Sequence, residues 1–185
     1  KTLYITYNGA LEPLIQSQGI PYLKGLSEKG VECVLLSFEK SYKDKGLFKR
    51  NISSLKHELR DHKIEWFRLK YHKSPTIPAT LLDMFLALAV GLFIVIREKI
   101  DIIHSRATVP AVVGYVLAKI TKRKFIFDER GIMSEEYVDG GMWRRDSSLY
   151  KITSFIEKQL LNRADFLVVL SENIRNFLTT TSYLT

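Results

Sequence analysis

The chain has 185 residues and a formal net charge of +8, with 46% hydrophobic and 26% charged residues. This length suits one domain, the composition excludes a largely disordered protein, and the single cysteine excludes an internal disulfide. The basic excess predicts anionic partners such as phosphate groups, but no RNA-binding or zinc-finger signature accompanies it, so no nucleic-acid partner is expected.

Strand-like and helix-like segments alternate along the first part of the chain. A first strand at residues 3–7 ends at the turn signal Asn8-Gly9, and a helical pattern at 21–29 stops at Gly30. The apolar run 31–38 is typical of a strand covered on both faces, which predicts that Cys33 is buried. A lysine-rich loop at 39–50 then leads into a short helix ending near His62, and a third strand follows at 64–69.

The most apolar stretch is residues 79–96, which is nearly long enough to span a bilayer. Thr80 and Asp83 interrupt it, and Arg97-Glu98-Lys99 closes it. A helix buried against a sheet accounts for this segment without lipid, and we adopt that interpretation.

The alternation continues to the end of the chain. Further strands are predicted at 101–104, 124–127 and 165–170, and further helices at 108–119 and 147–162, with Ser171 as the N-cap of a last helix. The pattern predicts an α/β fold of the Rossmann-like kind, with a mostly parallel sheet and helices on both faces. We expect one domain over residues 1–178 and a frayed end over 179–185.

In an open parallel sheet, ligands bind outside the carboxyl ends of the strands. Four groups of polar residues follow predicted strand ends: Asn8 and Gly9; His104 and Arg106; Asp128, Glu129 and Arg130, with Glu135 close behind; and Ser171 with Glu172. A histidine can exchange hydrogen bonds with a substrate hydroxyl near neutral pH, and an arginine can hold a phosphate or carboxylate with two hydrogen bonds.

Structural alternatives to these roles remain open. The first loop could be a plain connection, His104 and Arg106 could serve in capping and ion pairing, and Asp128 with Arg130 could be a supporting ion pair. Residues 137–145 contain glycines and aromatic residues, which is typical of a mobile lid over a sugar site. Neither GxGxxG nor GxxxxGK[ST] occurs, and HExxH and GxSxG are missing too, so dinucleotide, P-loop, zinc and serine-hydrolase sites are not expected.

Residues 26–34, 101–106, 125–131 and 164–172, taken in order, resemble the N-terminal domain of family 4 of the GT-B glycosyltransferases. The resemblance implies transfer of a sugar from a nucleotide-sugar donor with retention at the anomeric carbon, without a metal or other cofactor. It also implies that this domain recognises the acceptor. A C-terminal domain that grips the nucleotide would lie beyond this sequence, so the chain alone should be inactive.

One position departs from the family pattern. Many relatives have a histidine after the fifth strand, where this chain has Asp128, although some bacterial surface-polysaccharide enzymes have a similar acidic-x-Arg start to this loop. Glycosyl transfer passes through an oxocarbenium-like state that a carboxylate can stabilise. We therefore expect Asp128 or Glu129 to act at the sugar ring, with Arg130 anchoring the loop or binding an acceptor phosphate.

The sequence thus predicts a cytoplasmic enzyme of cell-surface polysaccharide synthesis acting on a glycan or lipid-linked acceptor. The residues expected to bind substrate are Asn8, Gly9, His104, Arg106, Arg130 and Glu135. Two alternatives stay open. One is a non-catalytic module that binds a phosphosugar or nucleotide, and the other is a peripheral domain whose basic stretch 40–73 contacts acidic lipid at the inner face of the membrane.

Overall fold

The computed structural model describes residues 1–40, 45–181 and 183–184. Its centre is a six-stranded sheet in the order β3-β2-β1-β4-β5-β6, and all neighbouring strands are parallel. The strands are β1 Thr2–Thr6, β2 Cys33–Glu39, β3 Ile64–Lys70, β4 Ile102–Arg106, β5 Lys124–Asp128 and β6 Phe166–Val168. Every residue of β1 and β2 is buried, as their apolar sequences require. The predicted fold class is confirmed.

Helices cover both faces of the sheet. They are α1 Ile20–Glu28, α2 Lys45–Asp61, α3 Thr76–Arg97, α4 Thr108–Thr121, α5 Met133–Asp139, α6 Ser148–Arg163 and α7 Glu172–Thr180. On one face α1 and α2 enclose an apolar cluster that includes Leu23, Leu35 and Leu59, and Cys33 is buried there as predicted. On the other face α3, α4 and α6 pack around a second cluster that includes Leu117 and Phe125.

The long apolar helix α3 is only partly buried. Among the described residues, it is the one helix that is long and apolar enough to cross a membrane. However, 33% of its most apolar window is buried inside the protein. Its inner side carries Asp83, which is fully buried and accepts hydrogen bonds from the Tyr7 hydroxyl and from the His72 backbone amide. The interpretation as a helix packed on the sheet is therefore confirmed for one side, while the other side is exposed.

The structure differs from the predicted elements in several places. A π-helical segment of five residues, Ile15–Gly19, runs directly into α1 and lies within the connection predicted between the first strand and the first helix. Helix α5 occupies the start of the predicted lid, and β6 is three residues long. Of the predicted lysine-rich loop, residues 41–44 lie outside the described residues, and α2 begins directly after them.

The end of the chain is more ordered than expected. Ser171 caps α7 as predicted, because its hydroxyl accepts from the Ile174 amide. Helix α7 then continues through Thr180, whose hydroxyl donates to the Asn176 carbonyl, and Tyr183 is only 6% exposed. These contacts correct the expectation of fraying from residue 179 at the described positions. Residues 182 and 185 lie outside them, and the domain limit at residue 178 stays a prediction.

Candidate functional site

A buried polar cluster lies at the carboxyl ends of β4 and β5. The two strands pair with Arg106 opposite Asp128. Because side chains alternate along a strand, His104, Arg106 and Asp128 project from the same face of the sheet. All three are buried, with 2%, 3% and 2% exposure respectively. We call these residues, together with Arg130, the polar cluster.

Asp128 is the electrostatic centre of the polar cluster. Its Oδ2 atom lies 2.7 Å from Arg130 Nη2, 3.8 Å from His104 Nε2 and 3.8 Å from Arg106 Nη1. Burial alone would raise the pKa of Asp128, but His104 and Arg130 outweigh it and hold that pKa below the usual range. The Asp128 carboxylate is therefore ionised at neutral pH. The Asp128–Arg130 contact anticipated as a structural alternative is present.

Aromatic rings fix the His104 imidazole. Tyr4 meets it edge-on at a centroid distance of 4.8 Å, and Tyr22 at 5.5 Å. Burial, followed by the Asp128 charge, raises the pKa of Tyr4 to about 12. The Tyr4 hydroxyl thus stays protonated and able to donate a hydrogen bond.

The π-helical segment Ile15–Gly19 covers part of this cluster. Gln18 Oε1 accepts a hydrogen bond of 2.6 Å from Arg106 Nη2, across 88 residues of sequence. Short π-helical turns occur frequently at functional sites, where they reposition one side chain. Here the turn brings an amide from the first helix to an arginine of β4.

Several buried polar atoms in and beside the cluster lack a hydrogen-bond partner within the described residues: Tyr4 OH, His104 Nε2, Arg106 Nη1, Asp128 Oδ1 and Arg130 Nε. Buried polar groups in native proteins are almost always paired. A group of donors and acceptors left unpaired at the carboxyl edge of a parallel sheet indicates a site for a polar ligand or ordered water.

Glu129 belongs to different surroundings, although it directly follows Asp128. Its Oε1 accepts from the Gly131 amide at 2.6 Å, and Gly131 itself has φ +149°, a conformation that favours glycine. Burial, reinforced by the negative charges of Glu157 and Glu136, raises the pKa of Glu129 to about 7. The two predicted catalytic carboxyls therefore lie in separate environments, and Glu129 is outside the polar cluster.

The loop after β1 is held by carboxylates. The Gly9 amide donates to Glu12 Oε1 at 2.9 Å, the Ala10 amide donates to Glu39 Oε1 at 2.8 Å, and Asn8 Nδ2 donates to Glu12 Oε2. Carboxylates thus accept the hydrogen bonds of the Gly9 and Ala10 amides. In a phosphate-binding loop, such amides would donate to the phosphate instead. Asn8 and Gly9 therefore lie just after the end of β1 and have a structural role in this loop. Their role in binding substrate stays a prediction.

An apolar cleft of about 600 Å³ opens at the same edge of the sheet, on the side of α3, α4 and α6. Its lining includes Tyr7, Asn8, Tyr71, Ile77, Leu81, Val109, Tyr137, Trp143 and Leu149. The predicted lid contributes two of these side chains, since the Tyr137 and Trp143 rings lie 4.5 Å apart. Concave sites of this size with mostly apolar and aromatic walls are typical of ligand pockets.

Glu135 lies apart from both the polar cluster and the cleft lining. Its Oε1 accepts from the Tyr150 hydroxyl at 2.7 Å and from the Tyr183 hydroxyl at 3.2 Å, and its Oε2 pairs with Arg145 at 2.7 Å. Burial would raise the pKa of Glu135, but these partners hold it below the usual range. The side chain ties α5 to α6 and to the end of the chain.

The structure therefore brings His104, Arg106, Asp128 and Arg130 together, whereas Glu129 and Glu135 lie elsewhere. Sequence reasoning missed Tyr4, Gln18 and Tyr22. The alternation within β1 offered a signal for Tyr4, because its side chain must point to the same face as His104 on the neighbouring strand. Within the described residues, no three His, Cys, Asp or Glu side chains converge as a metal site.

Comparison with known proteins gives one family match. The model described as Glycosyltransferase Family 4 matches residues 22–182. No curated protein matches the chain significantly.

Solved structures share the fold at low identity. Sucrose-phosphate synthase from Thermosynechococcus elongatus is 12% identical with a TM-score of 0.67, and the match covers 97% of this chain and 44% of that one. A glycosyltransferase from Rickettsia africae is 16% identical with a TM-score of 0.56, covering 100% and 40%. Anabaena Alr3699/HepE in complex with UDP is 16% identical with a TM-score of 0.53, covering 97% and 40%. The chain spans less than half of each.

Proposed function

Because the chain belongs to Glycosyltransferase Family 4, we propose that it is the acceptor-side, N-terminal domain of an enzyme that transfers a sugar from a nucleotide-sugar donor. The observation that carries this proposal is the polar cluster, in which an ionised Asp128 lies beside unpaired donors at the carboxyl edge of the sheet. The UDP held by the Anabaena structure favours a nucleotide-linked donor.

Asp128 is the residue we assign to the reaction centre. Its Oδ1 atom has no partner among the described residues, and its negative charge would stabilise the positive charge that develops at the anomeric carbon. His104 and the Tyr4 hydroxyl supply hydrogen-bonding groups for sugar hydroxyls, and Arg106 and Arg130 supply charge for a phosphate. Glu129, which faces away from this cluster, suits the reaction centre less well.

The finer features of the reaction rest on the family resemblance. We propose that the enzyme retains the anomeric configuration, needs no metal ion, and acts in the cytoplasm on a glycan or lipid-linked acceptor of cell-surface polysaccharide synthesis. The cleft at the same carboxyl edge, on the α3 side of the sheet, is the acceptor site in this proposal, because its aromatic walls suit sugar rings and apolar groups. A second domain, absent from this sequence, completes the donor site.

The test compares two Asp→Asn variants of the full-length enzyme. Asp128→Asn keeps the side-chain shape and an acceptor for Arg130 but removes the charge, so kcat should fall by about 100-fold or more. The exposed Asp61→Asn serves as the control and should keep wild-type turnover. Equal melting temperatures would show that the loss is catalytic.

Two further readouts address the finer features. Chelator treatment should leave turnover unchanged, and NMR of the product should show the anomeric configuration of the donor. Wild-type turnover in Asp128→Asn would contradict the assignment, and nucleotide-sugar binding without any turnover would support the non-catalytic module instead.

A further inference from the structure

The outer side of α3 is a continuous apolar surface. It consists of Ile77, Leu81, Leu82, Phe85, Phe93 and Ile96, whose exposed fractions run from 47% to 69%. Spacings of three, four and eight residues place these side chains along one side of the helix, over a length of about 30 Å. We call this set the apolar ridge. Monomeric soluble proteins rarely expose contiguous apolar patches of this size.

The inner side of α3 prevents the helix from crossing a membrane by itself. Asp83 is fully buried and hydrogen-bonded to Tyr7 and His72. Gly91 packs so closely on α4 that an added Cβ would lie 2.6 Å from Leu117 Cδ1. Extracting α3 from the sheet would break both contacts and expose the core. The ridge can therefore meet lipid only with the helix lying flat, as interfacial helices do.

Positive charge surrounds the ridge. Exposed basic side chains lie just before α3, just after it and at the end of the adjacent α4: Lys73, Arg97, Lys99, Lys119, Lys122 and Arg123. The acidic side chains near the end of α3 are engaged, since Glu98 pairs with Lys1 and Asp101 pairs with the N-terminal amine. Arg97 also pairs with Glu98, but Lys99, Lys119, Lys122 and Arg123 form no ion pair among the described residues. An apolar strip bordered by such an excess of cations is complementary to an anionic bilayer surface, where each basic residue adds attraction.

The ridge is also continuous with the cleft. Ile77 and Leu81 belong to both, and Val109 and Leu149 extend the apolar lining toward α4 and α6. A molecule whose apolar part lies along the ridge would thus have its polar head in the cleft, at the carboxyl edge of the sheet.

We propose that the apolar ridge docks on the surface of an anionic membrane and that the cleft receives a lipid-linked acceptor directly from that membrane. The docking stands on the ridge and its surrounding charge, whereas the identity of the cleft's occupant rests on the proposed function. This surface shares only Lys73 with the basic stretch at 40–73, because α2, which carries many of that stretch's basic residues, packs on the opposite face of the sheet from α3.

The test measures co-sedimentation of the full-length protein with vesicles of phosphatidylcholine, with and without phosphatidylglycerol. Wild type should bind the anionic vesicles more tightly. The triple variant Phe85→Ser, Phe93→Ser, Ile96→Ser, which changes no residue of the cleft lining, should bind them more than about tenfold more weakly, because three inserted side chains are lost. Phe166→Ser is the matched control, since Phe166 is 64% exposed on β6 and Phe85 is 67% exposed on α3. Equal melting temperatures would show that the variants fold.

Other outcomes would overturn the docking proposal. One is unchanged vesicle binding by the triple variant, and another is loss of binding only in the α2 variant Lys49→Glu, Arg50→Glu. A third is a wild-type dimer in sedimentation equilibrium that the triple variant abolishes, with no vesicle binding by either protein, because the ridge would then join two copies of the chain.

Transfer assays separate this inference from the proposed function. The triple variant should keep turnover of a water-soluble acceptor while losing turnover of a lipid-linked acceptor in vesicles. If the triple variant keeps turnover of both acceptors, the assignment of a lipid-linked acceptor is overturned. The proposal of glycosyl transfer would still stand. A wild-type protein that binds vesicles but transfers no sugar would contradict the proposed function and leave the docking surface standing.

Discussion

Two adjacent carboxyl groups, those of Asp128 and Glu129, have opposite electrostatic surroundings. Asp128 lies near the cations Arg106 and Arg130, and its pKa is lowered. Glu129 is buried near the carboxylates of α5 and α6, and its pKa is raised to about 7. Since consecutive residues of an extended chain point to opposite faces of a sheet, one step along the backbone moves a carboxyl from a positive to a negative environment.

Glu129 should make the stability of the protein depend on pH. Its folded-state pKa lies above the usual value, so the folded state binds more protons, and stability falls as pH rises from about 4.5 to about 7. Glu129→Gln keeps an acceptor for the Gly131 amide without the charge. It should raise the free energy of unfolding by about 1–3 kcal/mol at pH 8, and by much less at pH 5.

Urea denaturation at the two pH values measures this difference. Glu28→Gln, on the exposed side of α1, should change stability little at either pH. A Glu129→Gln variant less stable than wild type at pH 8 would show that the ionised carboxylate is stabilising.

Ala107 stores backbone strain next to the polar cluster. It has φ 67° and ψ 170°, a region that only glycine adopts without strain. Ala107→Gly should therefore raise the free energy of unfolding by about 1 kcal/mol, in spite of the greater flexibility of glycine in the unfolded chain. Ala111→Gly, inside α4, should instead lower it by about 1 kcal/mol. Thermal denaturation of both variants measures these changes. A stability of Ala107→Gly below that of the wild type would contradict the inference that Ala107 is strained.

At the scale of elements, the close approach of α4 to β4 depends on a glycine. An added Cβ at Gly114 would lie 2.0 Å from Ser105 Oγ and 3.1 Å from Phe125. Gly114→Ala should therefore destabilise the protein by about 1–3 kcal/mol through overpacking. Gly25→Ala, in α1, meets no atom within 4 Å and should be neutral or stabilising by up to about 1 kcal/mol.

Chemical denaturation of the two alanine variants provides the measurement. The double variant Ser105→Ala, Gly114→Ala should recover part of the loss, because it removes Ser105 Oγ, the nearest of the clashing atoms. Equal stability of the Gly114→Ala and Gly25→Ala variants would contradict the close packing.

The strand ends could be predicted to within two residues because buried parallel strands have distinctive apolar runs, such as Cys33–Glu39. The elements that were missed have no such pattern. Helix α5 has glutamates in its first turn and follows Gly131, and it depends on Glu157 of α6, which accepts hydrogen bonds from the Met133 and Ser134 amides. A helix start held by a carboxylate 23 residues away along the chain leaves little trace in the local sequence.

The candidate site was predictable only to the level of strand ends. Placing His104, Arg106 and Asp128 at one edge required the parallel topology alone. Recognising that Glu129 faces away required the alternation of side chains from Asp128 onward. The contacts of Tyr4 and Gln18 depend on tertiary packing of segments some 100 and 88 residues away, which no local pattern encodes.

At the scale of the whole molecule, two apolar clusters lie on opposite faces of one sheet and share its strands. The chain should therefore unfold in a single transition. Trp66 packs against the cluster under α1 and α2, while Trp143 lines the cleft on the other face. In each single-tryptophan variant, Trp143→Phe and Trp66→Phe, the urea midpoint by fluorescence should equal the midpoint by far-UV circular dichroism.

Leu23→Ala provides a stricter form of this test. It opens a cavity under α1 and should cost about 2–5 kcal/mol, and both tryptophan probes should report the same loss. If Leu23→Ala left the urea midpoint reported by Trp143 unchanged, the two faces of the sheet would unfold separately.

The π-helical turn Ile15–Gly19 has a genetic consequence. Such a turn amounts to one residue inserted into an α-helical run, and here it lets both Ile15 and Ile20 stay buried while Gln18 reaches Arg106. Deleting a single codon within this turn would restore ordinary helical winding and rotate the preceding loop by about 100° relative to α1. Loss of one residue would thus reshape the site, although every strand and every residue of the polar cluster would keep its identity. At this turn, relatives of the protein can therefore diverge in ligand preference without a change of fold.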